Sequence, residues 1–249
     1  MDIHKPKPAH SLREFVSEIA VIVCGILIAL SLEELVRVMH ERSLAKEARE
    51  SAREEIRQNI AFMQGRLTTQ DCVERRLDEI GDLLAASADG ALSPAPRWIS
   101  QPSYWVLNEQ RWQAATASGR ASLLPSDEQG RVDGVYSVMS RFNDSIRQEQ
   151  LAWAQLRGLE EWRGSFGPAE RLHFREALQQ ARYELWEIRV TIELARTLAK
   201  QMAIEAEAPQ VMGKGYSIPH AVCLPIDTPR EKALELLSKD GSPPFGQPK

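Results

Sequence analysis

The chain has 249 residues, of which 43% are hydrophobic and 27% charged, with a net charge of −4 at pH 7. That length and balance suit one sizeable core. The acidic balance and the lack of a basic stripe with interleaved aromatics exclude nucleic acid as the partner.

Residues 1–14 form a short tail carrying Lys5, Lys7 and Arg13 without excess acid, read as cytoplasmic. Ser11-Leu12-Arg13-Glu14 has capping-box form and predicts the start of the first helix. From Phe15 to Val36 the only charges are Glu18, Glu33 and Glu34, so the segment reaches the roughly twenty apolar residues that a bilayer requires. At about −0.4 kcal/mol each, its Ile, Leu, Val and Phe residues between 15 and 32 contribute about −4 kcal/mol. An acid at mid-bilayer costs about 3, and Glu18 lies near an end. Insertion wins narrowly. A buried core helix or a cleaved signal peptide would pass the same test, the latter through Ala29 and Ser31 as a small-x-small site. Glu33-Glu34 and a helical pattern that runs on without a linker favour an uncleaved transmembrane anchor over residues 15–36. The basic tail before the span and the acid-rich exit after it predict that the bulk of the chain lies outside the cytoplasm.

Within the span, Glu18 is either an interfacial anchor beside Arg13 or part of an ion or proton path. Gly25 and Ala29 form a small-x-x-x-small pair that lets spans approach closely. Beyond it, residues 37–208 read as a helical bundle. Leu35, Val38, Ala45, Ala48, Ala52, Ile56, Ile60, Met63, Leu67, Val73, Leu77, Ile80 and Leu84 recur at three, four and seven. They predict one helix to about Ala86, roughly 110 Å long, with Gly65 and Gly81 marking a bend or a close contact. The Ala45, Ala48 and Ala52 stripe is expected to be left bare on a slender stalk and to drive pairing of copies together with the Gly25 and Ala29 face.

Residues 87–103 are a proline-rich loop. A helix is predicted from about Tyr104 to Ser118, placing Trp105 and Trp112 on one face. They serve either as core filling or as a flat aromatic surface for a sugar or peptide. Pro125-Ser126-Asp127-Glu128 opens a helix to about Arg163 with Val132, Val135, Met139, Phe142, Ile146, Trp153, Leu156 and Leu159 on its apolar side. Residues 164–168 form a turn, and a further helix runs from Pro168 to about Ala208 with Leu172, Leu178, Ala181, Leu185, Ile188, Ile192, Ala195, Leu198 and Met202 as its stripe. Two long helices joined by so short a turn predict an antiparallel hairpin, with the first helix as third partner. Residues 209–249 read as an extended segment with a short helix over 229–239, opened by the capping box Thr228-Pro229-Arg230-Glu231, and a disordered tail. The fold class is all-α, an N-terminal membrane helix continuing into an elongated bundle.

Of three cysteines, Cys24 lies in the span. Cys72 and Cys223 remain as a pair that either forms a structural disulfide in an oxidising compartment or stays as two buried thiols. Five scattered histidines without paired ligand spacing predict no metal. The chain shows no Gly-x-Ser-x-Gly element, no Rossmann glycine pattern and no phosphate loop, so neither an enzymatic activity nor a cofactor is expected.

The run Glu18-Ile19-x5-Gly25-Ile26-Leu27-Ile28-Ala29-Leu30 followed by a charged helix resembles the start of uncharacterised bacterial single-span inner-membrane proteins with a short N-terminal tail. The Cys72–Leu77 and Trp112–Pro125 segments are similar to proteobacterial members of that group. The resemblance implies an inner-membrane protein with a periplasmic bulk and transfers no activity. The function expected is that of a structural or interaction subunit of an envelope assembly, partnered by the bilayer and by further copies or other envelope proteins. The alternatives are a ligand-sensing bundle, its ligand unspecified, or an accessory subunit of a transporter or pore.

Overall fold

The computed structural model describes residues 12–87, 91–205 and 218–239. All regular elements among them are helical: α1 (Leu12–Leu67), α2 (Gln70–Ala86), α3 (Gln110–Ala117), α4 (Ser126–Leu156), α5 (Pro168–Gln201) and α6 (Arg230–Lys239), with single 3₁₀ turns at Ala121–Leu123, Arg157–Leu159 and Ile218–Cys223. The all-α class and the long N-terminal apolar helix are as the sequence predicts.

Three long rods make the bundle. Arg49 meets Glu128 and Arg66 meets Glu149, so α1 and α4 run parallel. Glu74 meets Arg189 and Asp78 meets Arg182, so α5 runs back along α2. Between α2 and α4 the chain returns beside α1 towards its N-terminal half, ending with α3 and the 121–123 turn packed on α1. The stripes on α2 and α4 are buried as read. On α5 the stripe holds from Leu178 to Met202, whereas Leu172 is exposed. Apolar side chains gather in two large clusters and a small third one around Trp98. One large cluster is built on Ala52, Ile56, Met63, Met139, Phe142, Ile188 and Ile192, and the other on Val73, Leu77, Trp153, Leu156, Phe174 and Ala181.

Several predicted boundaries are corrected. The first helix does not run unbroken to Ala86. It stops at Leu67, where the Thr68 amide and hydroxyl both donate to the Gly65 carbonyl, at 3.2 and 2.8 Å. Gly81 marks a close contact, since a Cβ there would lie 3.1 Å from the Arg182 guanidinium. Residues 104–109 are not helical, so Trp105 and Trp112 do not share a helix face. The helix opened by Ser126 ends at Leu156 rather than Arg163. Past the 157–159 turn, Glu161 adopts φ 53° and donates its amide to Pro96 at 2.8 Å. The next helix stops at Gln201, not Ala208. Ala203 turns to φ 51°, and the Arg53 guanidinium takes the freed carbonyls of Met202 and Ala203 at 2.7 and 3.0 Å. Part of the segment read as extended, Ile218–Cys223, is a 3₁₀ turn. Residues 1–11, 88–90, 206–217 and 240–249, which include most of the tail, part of the proline-rich loop, Ala206–Ala208 and the predicted disordered end, lie outside the described residues.

The stalk is also corrected. Ala48 and Ala52 are buried, and Ala45 is partly buried, in the first cluster with Ala121 and Leu124. The chain's own return segment covers the stripe, so it offers no bare surface to a second copy.

Candidate functional site

The return segment supplies the most constructed polar environment of the molecule. From Ala95 to Glu109 it is largely extended, yet no strand pairs with it. Its peptide groups are satisfied mainly by side chains instead. At the distal end the amides of Arg97 and Trp98 both donate to the Ile226 carbonyl at 2.9 Å. Arg76, 1% exposed, donates to the carbonyls of Trp98 and Ile99 at 2.8 and 2.5 Å and to that of Leu224. Burial holds the Arg76 guanidinium below its ordinary range, opposed by the hydrogen bond to Glu79. The Glu160 carboxylate accepts the amides of Ile99 and Ser100 at 2.8 and 3.1 Å. Ser100 sits at φ 63°.

Two asparagines clamp the next stretch from opposite sides. Asn143 of α4 accepts the Leu107 amide at 2.8 Å and donates to the Leu107 carbonyl at 3.2 Å. Asn59 of α1 accepts the Asn108 amide at 3.1 Å and donates to its carbonyl at 2.6 Å. Each amide side chain substitutes for the edge of a neighbouring strand. One turn earlier on α1, Glu55 caps α3: its carboxylate accepts the amides of Arg111 and Trp112 at 3.1 and 3.4 Å, together with the Tyr136 hydroxyl at 2.6 Å. Burial, reinforced by that hydrogen bond, pushes the Tyr136 phenol well above its ordinary range.

A second polar layer separates the two apolar clusters. Arg66 and Glu149 pair at 2.7 Å with both side chains 2% exposed. Burial pushes the Glu149 carboxyl up while Arg66 opposes the rise. Glu184, hydrogen-bonded to Gln180 at 2.5 Å, is likewise raised by burial. Nearby in the sequence, Arg66 Nε, Thr69 Oγ1 and Trp153 Nε1 are buried without a protein partner.

Of the residues singled out from the sequence, Cys72 and Cys223 are brought together and the others are not. Cys72 and Cys223 lie within disulfide distance, with Sγ atoms 2.01 Å apart. Glu18, Gly25 and Ala29 are exposed on α1, and Gly25 has open space where a Cβ would stand. Trp105 is half-buried with its ring 6.2 Å from that of Phe62. Trp112 is buried, stacked on Tyr136, with Nε1 donating to Asp133 at 2.8 Å. It is a core residue, and the flat aromatic surface expected from Trp105 and Trp112 does not form. Glu55, Asn59, Arg66, Arg76, Asn143, Glu149 and Glu160 escaped sequence reasoning.

The chemistry of this arrangement is that of holding chain. Buried carboxylates, amides and guanidinium groups are engaged with backbone or with one another. A groove of about 800 Å³ lies between α1 and α5 and is open and charged, with Arg57, Arg196 and Lys200 facing Glu193 and Glu205. Among the described residues no group of three His, Cys, Asp or Glu is placed to hold a metal ion. No family model, no curated protein and no solved structure matches this chain.

Proposed function

We propose that this chain is a single-span protein of a bacterial inner membrane whose bundle stands in the periplasm as a structural or interaction subunit of an envelope assembly. The observation that carries the reading is the continuity of α1. Its N-terminal part is long and apolar enough to cross a membrane, and none of that window is buried, which argues against a core helix. Without a break the same helix enters the core at Ala48, Ala52 and Ile56. A bundle joined in this way is fixed in direction relative to the lipid, as a spacer or docking platform requires.

The Cys72–Cys223 pair supports an oxidising location. Glu55, Asn59, Arg76, Asn143 and Glu160 are committed to holding the return segment, and partners would meet the outer faces.

Fusion of alkaline phosphatase after Asp240 is expected to give active enzyme, and green fluorescent protein at the same place is expected to stay dark. A fluorescent fusion with an inactive phosphatase would reverse the topology.

A further inference from the structure

A small cavity of about 30 Å³ lies where three segments distant in sequence meet. Ser100 lines it from the return segment, Arg157 and Glu160 from the chain just after α4, and Arg230 and Leu234 from α6. A water needs about 10–15 Å³ of such space, so the cavity takes about two or three heavy atoms.

The polar groups here are not matched as they are elsewhere in the interior. Arg66 meets Glu149 and Arg76 meets Glu79. Arg157 meets no carboxylate among the described residues. Its Nε is buried without a partner, and Nη1 reaches only the Gln101 side-chain oxygen, at 3.4 Å. Glu160 does not answer it, because one carboxylate oxygen accepts the amides of Ile99 and Ser100 and the other lies 3.4 Å from Arg230. Ser100 is 7% exposed, and its hydroxyl makes no hydrogen bond to a described residue. The lining therefore holds two guanidinium groups against one carboxylate, with buried donors that lack an acceptor. Leaving a charged donor buried in that way is costly.

We propose that this cavity is a binding site for a small carboxylate, held between Arg157 and Arg230 with the Ser100 hydroxyl as a further donor. A carboxylate group has three heavy atoms and offers two oxygens to a guanidinium fork, so it suits both the space and the missing acceptor. Its charge also brings the lining to neutrality. Phosphate and sulfate, with five heavy atoms, exceed the space. A neutral amide leaves the excess charge in place, and a cation offers Arg157 nothing to bond. Because Arg230 opens α6 and Arg157 follows α4, an occupant touching both ties the C-terminal segment to the bundle.

The test uses the full chain in mild detergent at constant ionic strength, with formate as the probe and hydrogen exchange at residues 98–101 and 230–234 as the readout. Exchange there is expected to slow at least threefold and saturably with formate, and to be unmoved by formamide, chloride or phosphate. Equal slowing by any of these three, or none with formate, overturns the proposal. Arg157→Lys keeps the charge and removes the fork, while Arg230→Gln removes the second cation at a side chain 49% exposed. Each is expected to raise the half-saturating formate concentration at least tenfold with unchanged helical circular dichroism. If Arg157→Lys does not fold, Arg230→Gln carries the comparison alone, and a formate response that survives it overturns the site. A crystal structure grown with formate reads occupancy directly: formate bridging the two guanidinium groups supports the assignment, and water alone in the cavity overturns it.

Discussion

Arg66 and Glu149 show how a single buried pair constrains this bundle. Both lie at stripe positions, Arg66 three residues after Met63 and Glu149 three after Ile146, where an apolar side chain would continue the packing. Removing one partner of a buried pair strands the other charge, at a cost of about 3–5 kcal/mol, whereas replacing both with apolar groups is often close to neutral. Arg66→Met is therefore expected to destabilise strongly and Arg66→Met with Glu149→Leu to recover most of the loss.

The pH dependence separates this cause from simple loss of packing. Burial already raises the Glu149 carboxyl and Arg66 restrains it, so the single variant raises the folded-state pKa further above an unfolded value of about 4.3. A carboxyl raised on folding contributes stability below its unfolded pKa and loses it as the pH climbs through the folded one. The deficit of Arg66→Met against wild type should thus be smaller at pH 5 than at pH 8. Urea midpoints of the two proteins at both pH values give the comparison, and equal deficits would assign the effect to packing alone.

At the scale of elements, the extended return segment is defined by what holds it. Leu107 is 3% exposed, and its amide and carbonyl depend on Asn143. Asn143→Ala leaves two buried peptide groups unpaired, worth about 1–3 kcal/mol each. The loss should be local. Hydrogen exchange at Leu107 and Asn108 is expected to accelerate while α4 keeps its protection, whereas a uniform rise across the bundle would mean the segment is not held as an independent unit.

The same segment shows where sequence reasoning stops. The stripe on α4 and most of that on α5 were legible because helix packing repeats locally every three or four residues. Asn59, between Ile56 and Met63, and Glu149, between Ile146 and Trp153, were legible in principle as polar residues at core spacing. Residues 104–109 read as helix because nothing nearby reveals that Asn59 and Asn143, distant in sequence, claim the backbone there. Arg76, Glu160 and Glu55 are invisible for the same reason: their partners are carbonyls and amides of other segments, and their own surroundings look like an ordinary charged helix surface.

For the whole molecule, the decisive link is between α2 and the C-terminal segment. Cys72 and Cys223 stand 151 residues apart in sequence, and a bond closing so long a loop removes unfolded-state entropy worth up to about 5 kcal/mol in the chain-entropy model. Non-covalent contacts act at the same place. Arg75 donates to the Cys223 carbonyl at 3.2 Å, and Trp98 Nε1 donates to the Ala221 carbonyl at 2.8 Å. Ala221, Ala233 and Leu237 bury the Trp98 ring. Apart from Val222, Cys223 and Ile226, which pack on the second large cluster, the segment is held by this small satellite cluster, whereas α4 and α5 draw on the two large ones. Loss of the bond should therefore free residues 218–239 before the bundle melts. Cys72→Ser with Cys223→Ser is expected to show an early transition with a red-shifted tryptophan emission as Trp98 meets water, followed by bundle unfolding at reduced denaturant. Alkylation of freshly isolated wild-type protein under denaturing, non-reducing conditions should label Cys24 alone. Full labelling of Cys72 and Cys223 would show that the bond does not form in the cell, and would remove one support for placing the bundle in an oxidising compartment.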